Sequence, residues 1–356
     1  MKEKITVDPM NVEPWIARKI ADYIRRGDLV ALPSETVYGL AGRADRPEVV
    51  TRLYEVKQRP REKPFTYLVG AIEDAVDHYL APLPPFCYRL MEKFWPGPLT
   101  LVYYSPRDKK IGVRVPSHLL LQEVLKDLPR IPVFFPSANL SGRPEAASAQ
   151  EVESSFDGKV DVIVDGGKAF FRQSSTVLDV TERPFRLLRE GVVSKREIIE
   201  VFIRKRVLFV CTGNTCRSPM AEVLLKKYLA EEKPYLQDRY EIISRGIAPV
   251  EGNPISPSAV TVLGENEYVD VRGFRAHVLD RGSVLSSDLI FTMEERQKEH
   301  ILRYEPTAEG RVFHLKKFLP PEKEQDIPDP IGKGLSVYEH AYSLLKEAVI
   351  ELREWL

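Results

Sequence analysis

Cys211 and Arg217 stand six positions apart in Cys211-Thr212-Gly213-Asn214-Thr215-Cys216-Arg217-Ser218-Pro219, directly after the apolar run Val207-Leu208-Phe209-Val210. The pattern reads as a buried strand, a tight loop and a helix opening on Ser218-Pro219. A proline there loses nothing, because its missing N–H would be unpaired in the first turn anyway. Loop amides from Thr212 to Ser218 that point inward cradle a phosphate, and the helix N-terminus adds positive potential. The same field, with Arg217, is expected to stabilise a Cys211 thiolate, the nucleophilic form of the side chain. Arg217 can also grip two phosphoryl oxygens bidentately. These are the parts of a thiolate phosphatase.

Such a site also needs a proton donor for the leaving group. The segment Asp326-Ile327-Pro328-Asp329-Pro330 supplies two candidates. A carboxylic acid opposite the nucleophile protonates the departing atom and then, as carboxylate, activates water. Asp329 is favoured because the following proline restricts its backbone. Asp326 competes, with loop solvation as its other role.

This half, from about Arg206 onward, resembles the low-molecular-weight protein phosphatase family in its C-x-G-N-x-C-R-S-P loop. Further matches are Ser244-Arg245-Gly246, Gly252-Asn253-Pro254, Asp288-Leu289-Ile290-Phe291-Thr292-Met293 and the late Asp-Pro. The resemblance implies an α/β domain with a central parallel sheet, a phosphocysteine intermediate and Asp329 as the acid. It leaves the protein substrate open between two branches. Thr215 resembles the threonine of bacterial protein-arginine phosphatases, where tyrosine phosphatases carry an apolar branched residue. Ile331 follows the Asp-Pro where both branches usually place an aromatic. Phosphoarginine is the expectation, phosphotyrosine the alternative, and local packing the other role of Thr215.

The first half scatters its chemistry. Cations stand at Lys57, Arg59, Lys63, Arg114 and Arg189, and small polar groups in Pro33-Ser34-Glu35-Thr36, Pro136-Ser137-Ala138-Asn139 and Ser174-Ser175-Thr176. Taken singly, Lys57 to Lys63 reads as a solvated charge run, and Ser137 and Ser175 as loop caps. Together they suit a triphosphate and a small zwitterion, since loop hydroxyls bind phosphate and guanidinium groups bind phosphate or carboxylate. The Gly-x4-Gly-Lys loop of P-loop nucleotide sites is not present.

In this order the segments resemble the L-threonylcarbamoyladenylate synthase family, the YrdC-like domain, over nearly all of residues 5–203. The elements are Thr-x-Tyr-Gly-Leu, Lys-x-Arg-Pro, Trp-Pro-Gly-Pro-Leu-Thr, Val-Arg-x-Pro-x-His and Ser-Ala-Asn-x-Ser-Gly. The resemblance implies a twisted α/β fold and the joining of L-threonine, bicarbonate or CO2, and ATP into threonylcarbamoyl-AMP, with pyrophosphate released. It implies Thr36, Arg114, Ser137 and Ser175 as threonine contacts, and Lys57, Arg59, Lys63, Asn139 and Arg189 as ATP contacts. Mg²⁺ is expected with the triphosphate, held by substrate oxygens and water rather than a protein metal site. The product would serve tRNA modification, so tRNA and a threonylcarbamoyl-transferase are expected partners. Two departures stand out: Tyr67-Leu68-Val69 where many two-domain members have a histidine, and Glu190 where proline is commoner. The accessory domain of larger members is expected to be replaced by the phosphatase half, leaving any cover over ATP to come from elsewhere.

The elements that must position these groups follow from pattern and length. At 356 residues the chain fits two domains, read as 1–203 and 206–356. Leu29 to Leu32 and Leu99 to Val102 read as strands; Pro14 to Arg25, Pro47 to Val56 and Ser194 to Phe202 read as helices, the last capped by Ser194. Residues 1–205 hold 32 Lys+Arg against 28 Asp+Glu, a net of +4, and the remainder 20 against 24, a net of −4. This asymmetry weakly suits a polyanion-handling first half. No apolar run nears a membrane span, and three cysteines make no disulfide framework, so a cytoplasmic enzyme is expected. A different reading makes the first half chiefly an RNA-binding module; the small net charge and the lack of aromatic-basic interleaving around Lys57 argue against it.

Overall fold

The computed structural model describes residues 3–156, 158–320 and 326–356. The chain forms two compact units, one of residues 1–83 and 90–199, the other of residues 84–89 and 200–356.

The first unit is built on a mixed ten-stranded sheet. Its strands are β1 (Glu3–Thr6), β2 (Val30–Leu32), β3 (Gly39–Arg43), β4 (Thr66–Leu68), β5 (Leu99–Tyr104), β6 (Lys110–Arg114), β7 (Val133–Phe134), β8 (Val162–Asp165), β9 (Thr176–Asp179) and β10 (Arg186–Arg189). Their order is β1-β8-β2-β3-β7-β4-β6-β5-β9-β10. The register aligns Thr66 with Gly112, Leu68 with Arg114, Val102 with Gly112 and Thr100 with Val177. Because side chains alternate faces, these residues share one face of the sheet and Tyr67 takes the other.

The helix Pro14–Arg26 opens on proline, buries Ala17, Ile20, Ala21 and Ile24 at helical spacing, and stops at Gly27. The helix Pro47–Lys57 buries Val49, Leu53 and Lys57. Lys57 is four residues beyond Leu53, so helix phase alone carries this cation inward. The helix Lys195–Ile203 is capped as expected: Ser194 Oγ accepts from Glu197 N at 3.3 Å, and Glu197 Oε2 accepts from Ser194 N at 2.9 Å.

The second unit holds a four-stranded, wholly parallel sheet of order β12-β11-β13-β14, with β11 (Lys205–Cys211), β12 (Tyr240–Gly246), β13 (Leu289–Thr292) and β14 (Val312–His314). Val207, Leu208, Phe209 and Val210 are wholly buried, which explains their unbroken apolar run in a strand covered on both faces. The helix Arg217–Glu232 contributes Met220, Leu224, Leu225 and Leu229 to the core, and the helix Leu335–Trp355 contributes Leu345, Val349 and Leu352. No helix among the described residues is long and apolar enough to cross a membrane.

Candidate functional sites

In the second unit the loop after β11 lies at the carboxyl ends of parallel strands, where open α/β sheets bind ligands. Asn214 sets its shape. This residue has a φ of 50°, and its side-chain amide donates to Ser218 Oγ and Ser244 Oγ, both at 2.9 Å. Its carbonyl accepts from His277 N at 2.8 Å. At Gly246, a Cβ would come within 2.8 Å of Thr212 O and 3.0 Å of Asn214 Cβ, so only glycine lets β12 end this close to the loop. The helix begins at Arg217, one residue earlier than expected, with Cys216 at its cap.

Cys211 Sγ lies 3.0 Å from Ser218 Oγ and accepts from Asn214 N at 3.2 Å. Burial pushes its thiol up, against the opposing pull of the Arg217 charge, the Ser218 hydroxyl and the Asn214 amide. Burial therefore works against the thiolate expected here, and the groups that favour it are led by Arg217. Only 1% exposed, it donates through Nη1 to Glu294 Oε1 at 2.6 Å and Ile327 O at 2.9 Å, and through Nη2 to Asp329 Oδ2. Two carboxylates therefore share this cation. Asp329 is thus on the nucleophile's arginine. Asp326 instead accepts from Glu295 N at 3.2 Å and lies 3.3 Å from His314 Nε2, a tie at the start of the helix Glu295–Tyr304.

Glu294 was not singled out by sequence, although it follows the quoted Thr292-Met293. Gln297 links it to the loop, donating to Glu294 Oε1 at 3.0 Å and Thr212 Oγ1 at 3.2 Å. Burial works against the Glu294 charge, but Arg296 and Arg217 hold its carboxyl below the usual range. Thr215 places Oγ1 3.6 Å from Cys216 Sγ, and Cys216 also meets Ser256 Oγ at 3.3 Å and Tyr338 Oη at 3.4 Å. Ile331 is 56% exposed. Gly213 completes the loop.

In the first unit, a cavity of about 630 Å³ opens on the sheet face carrying Thr66, Gly112, Arg114, Thr100 and Val177. It gathers Thr36, Arg59, Lys63, Arg114, Ser137, Ser175 and Arg189 from segments far apart in sequence. Arg114 is not a free cation. It donates to Glu35 Oε1 at 2.6 Å, Thr36 Oγ1 at 3.1 Å and Gly97 O at 3.1 Å. Burial opposes the Glu35 charge, yet Arg114 and the Ser117 N–H keep its carboxyl below the usual range. Glu35 Oε2 is buried without a hydrogen-bond partner among the described residues.

Arg189 donates through Nε to Ser175 O at 3.0 Å, through Nη2 to Ser175 Oγ at 3.2 Å and through Nη1 to Glu145 Oε1 at 3.3 Å. Gly191 lets this strand approach, since a Cβ there would fall 2.1 Å from Ser174 O. Arg59 is fastened by Lys63 O at 2.8 Å and lies over the Phe65 ring at 5.3 Å.

Lys57 and Asn139 do not line the cavity. Lys57, 2% exposed, donates to Ser137 O and to Asn139 O, the latter at 2.7 Å, and burial, then Arg59, pulls its pKa down to about 7. Asn139 turns its amide to Leu140 O and Arg143 O, while its Oδ1 accepts from Ser137 Oγ at 2.7 Å. Both residues brace the loop that presents Ser137. Glu35 and Glu145, unnoticed in the sequence, fix the two arginines.

The Sua5/YciO/YrdC family model, described as Telomere recombination, matches residues 22–191. The model described as Low molecular weight phosphotyrosine protein phosphatase matches residues 206–356. A structure of a Sua5 variant from Pyrococcus abyssi is 32% identical, with a TM-score of 0.53, covering 65% of this chain and 77% of that one. A low molecular weight protein-tyrosine-phosphatase relative, EpsP of Ralstonia nicotianae, is 38% identical over 146 residues, 41% of this chain and 91% of its own length. The chain belongs to both families, one in each half. The threonylcarbamoyl-AMP synthase of Pyrococcus abyssi is 37% identical over 207 residues, 55% of this chain. The match spans 60% of that synthase, so this chain covers less than two thirds of its length.

Proposed function

We propose that the chain is a bifunctional enzyme. The YrdC-like half makes threonylcarbamoyl-AMP from L-threonine, bicarbonate or CO2, and ATP for tRNA modification, and the phosphatase half hydrolyses protein phosphoarginine. The observation that carries the first activity is the convergence of Arg59, Lys63, Arg114 and Arg189 with the Thr36, Ser137 and Ser175 hydroxyls around one cavity. A carbamate formed on the threonine amine attacks the α-phosphorus of ATP, forming the new P–O bond as pyrophosphate leaves. No protein nucleophile is needed, so catalysis is positioning and charge stabilisation. Arg114 takes the threonine carboxylate, with Thr36 beside it; Arg59, Lys63 and Arg189 take phosphate oxygens.

The cavity's own carboxylates do not suit a resident metal. Asp179 is held by Lys110 and Glu62 is exposed, and no cluster of three His, Cys, Asp or Glu able to hold a metal occurs among the described residues. Mg²⁺ would accompany ATP on the phosphate oxygens.

In the phosphatase half, Cys211 sulfur attacks phosphorus, the P–N bond of phosphoarginine breaks, and Asp329 gives its proton to the leaving nitrogen. Water then attacks the phosphocysteine, Asp329 takes a water proton, and phosphate departs as the S–P bond breaks. The Thr215 hydroxyl at the loop supports arginine over tyrosine, while Ile331 departs from both branches.

The test of the first activity is pyrophosphate release by the full chain with ATP. Release that needs both threonine and bicarbonate is expected; tRNA binding without release would leave an RNA-binding module. For the second, kcat/KM on phosphoarginine and phosphotyrosine is compared in the parent and Thr215→Ile. Arginine activity should fall further than tyrosine activity rises, because a lost hydrogen bond discriminates more steeply than shape. A parent that prefers phosphotyrosine refutes the arginine assignment.

A further inference from the structure

A second concavity in the first unit, of about 580 Å³, is used by neither activity. It lies between the hairpin turn joining β5 to β6, the helical turn Ala75–Tyr79 and the loop ahead of β7. Its floor is apolar, with Leu125, Leu128 and Ile131. Two tyrosines stand in it: the Tyr67 and Tyr79 rings lie 5.4 Å apart at 59°, and Tyr67 leans on Phe134 at 4.5 Å. Both are half-buried, and neither phenol has a hydrogen-bond partner among the described residues.

Three exposed cations, Arg107, Lys109 and Arg130, line the same space from two separate loops. None makes an ion pair among the described residues, although arginines elsewhere in this unit are mostly fastened to carboxylates or carbonyls. One carboxylate, Asp74, faces them. His78 completes the polar rim. The volume falls in the range of small-molecule sites, which are apolar with a few placed polar groups. Aromatic faces beside unspent cations suit a flat base carrying phosphate, by stacking and by charge.

We propose that this groove binds a nucleoside phosphate, its base against Tyr67 and Tyr79, its phosphate held by Arg107, Lys109 and Arg130, and its hydroxyls met by the phenols. The ligand is a free nucleotide or one nucleotide unit of an RNA chain. Leu68 and Ile111 line both this groove and the cavity on the opposite face of β4 and β6, so an occupant here presses on the wall of the first site.

The test uses the full chain with two probes, GMP by calorimetry and a short fluorescent single-stranded RNA by anisotropy. Both are applied to the parent, to Arg107→Glu/Arg130→Glu, to Tyr67→Phe, and to Lys63→Ala/Arg189→Ala in the first cavity. The double charge reversal sits on exposed side chains and should weaken binding about tenfold or more while flattening its salt dependence. Tyr67→Phe should weaken it less, and the first-cavity variant should leave it unchanged. GMP binding that depends on the groove assigns a free nucleotide; groove-dependent binding of RNA alone assigns the chain-borne unit. Binding indifferent to the groove variants, lost equally in the first-cavity variant, or absent for both probes overturns the proposal.

Discussion

Glu294 Oε1 accepts from Arg217 Nη1 at 2.6 Å, so the arginine that should grip a phosphoryl group is aimed by a carboxylate 77 positions away. Glu294→Ala should lower phosphatase kcat/KM by about 10- to 100-fold, the scale of one charged hydrogen bond. Glu294→Gln keeps an acceptor and should lose less. Removing the carboxylate also leaves more of the Arg217 charge for Cys211, so the thiol should titrate lower. The pH dependence of Cys211 alkylation measures this; an unmoved profile would mean Glu294 is only a helix cap.

Cys211→Ser should abolish phosphatase turnover, because a hydroxyl in this loop is not ionised as a thiolate would be. Threonine- and bicarbonate-dependent pyrophosphate release should persist. Parallel assays on one preparation decide it, and loss of both activities would sink the picture of separate sites.

Asp329→Asn should lower kcat by about 100-fold or more, the range of a lost general acid. Asp326→Asn should instead act on stability, since its contacts are Glu295 N and His314. Steady-state rates and thermal melts on both variants separate the roles; the reverse pattern would hand the acid to Asp326.

Arg114→Ala should weaken threonine binding by about 1.5–3 kcal/mol through the lost carboxylate partner. It also strands Glu35, so it should lower Tm as well. Adding Glu35→Gln should recover part of the melting temperature but none of the threonine affinity. Calorimetric titration with threonine and melting of the variants test the pair.

Glu267 accepts from Lys227 at 2.7 Å, Lys346 at 2.8 Å and Tyr342. Burial opposes its charge, but these donors bring its pKa down to about 2. A carboxylate lowered on folding contributes fully above its ordinary value near 4.5 and loses that contribution as pH falls toward about 2. Glu267→Gln should therefore be about 1–3 kcal/mol less stable at neutral pH. Its deficit should close below pH 4.5, as read by denaturant unfolding across pH.

Much of this was legible because local rules agreed with the fold. The run Val207 to Val210 announced a strand buried on both faces. Pro14 and Pro47 marked helix starts within the observed elements. Lys57 was read as a phosphate ligand from its motif; its phase with Val49 and Leu53, which turns it to the buried side of its helix, was not read. Glu35, Glu145 and Glu294 were illegible for a different reason. Each looks like any surface acid in sequence, and its meaning comes from an arginine brought close by tertiary folding. The cysteine was read from motif chemistry alone, which counts the arginine's charge but not the burial of the sulfur.

One side-chain amide, that of Asn214, fastens Ser218, Ser244 and the backbone at His277 together. A loop braced from three directions is rigid before anything enters it, so little ordering entropy opposes an incoming tetrahedral oxyanion. Such a cradle recognises the shape and charge of the phosphoryl group whatever is attached to it. Inorganic phosphate, the reaction's own product, should therefore compete with substrate, and turnover should slow as phosphate accumulates.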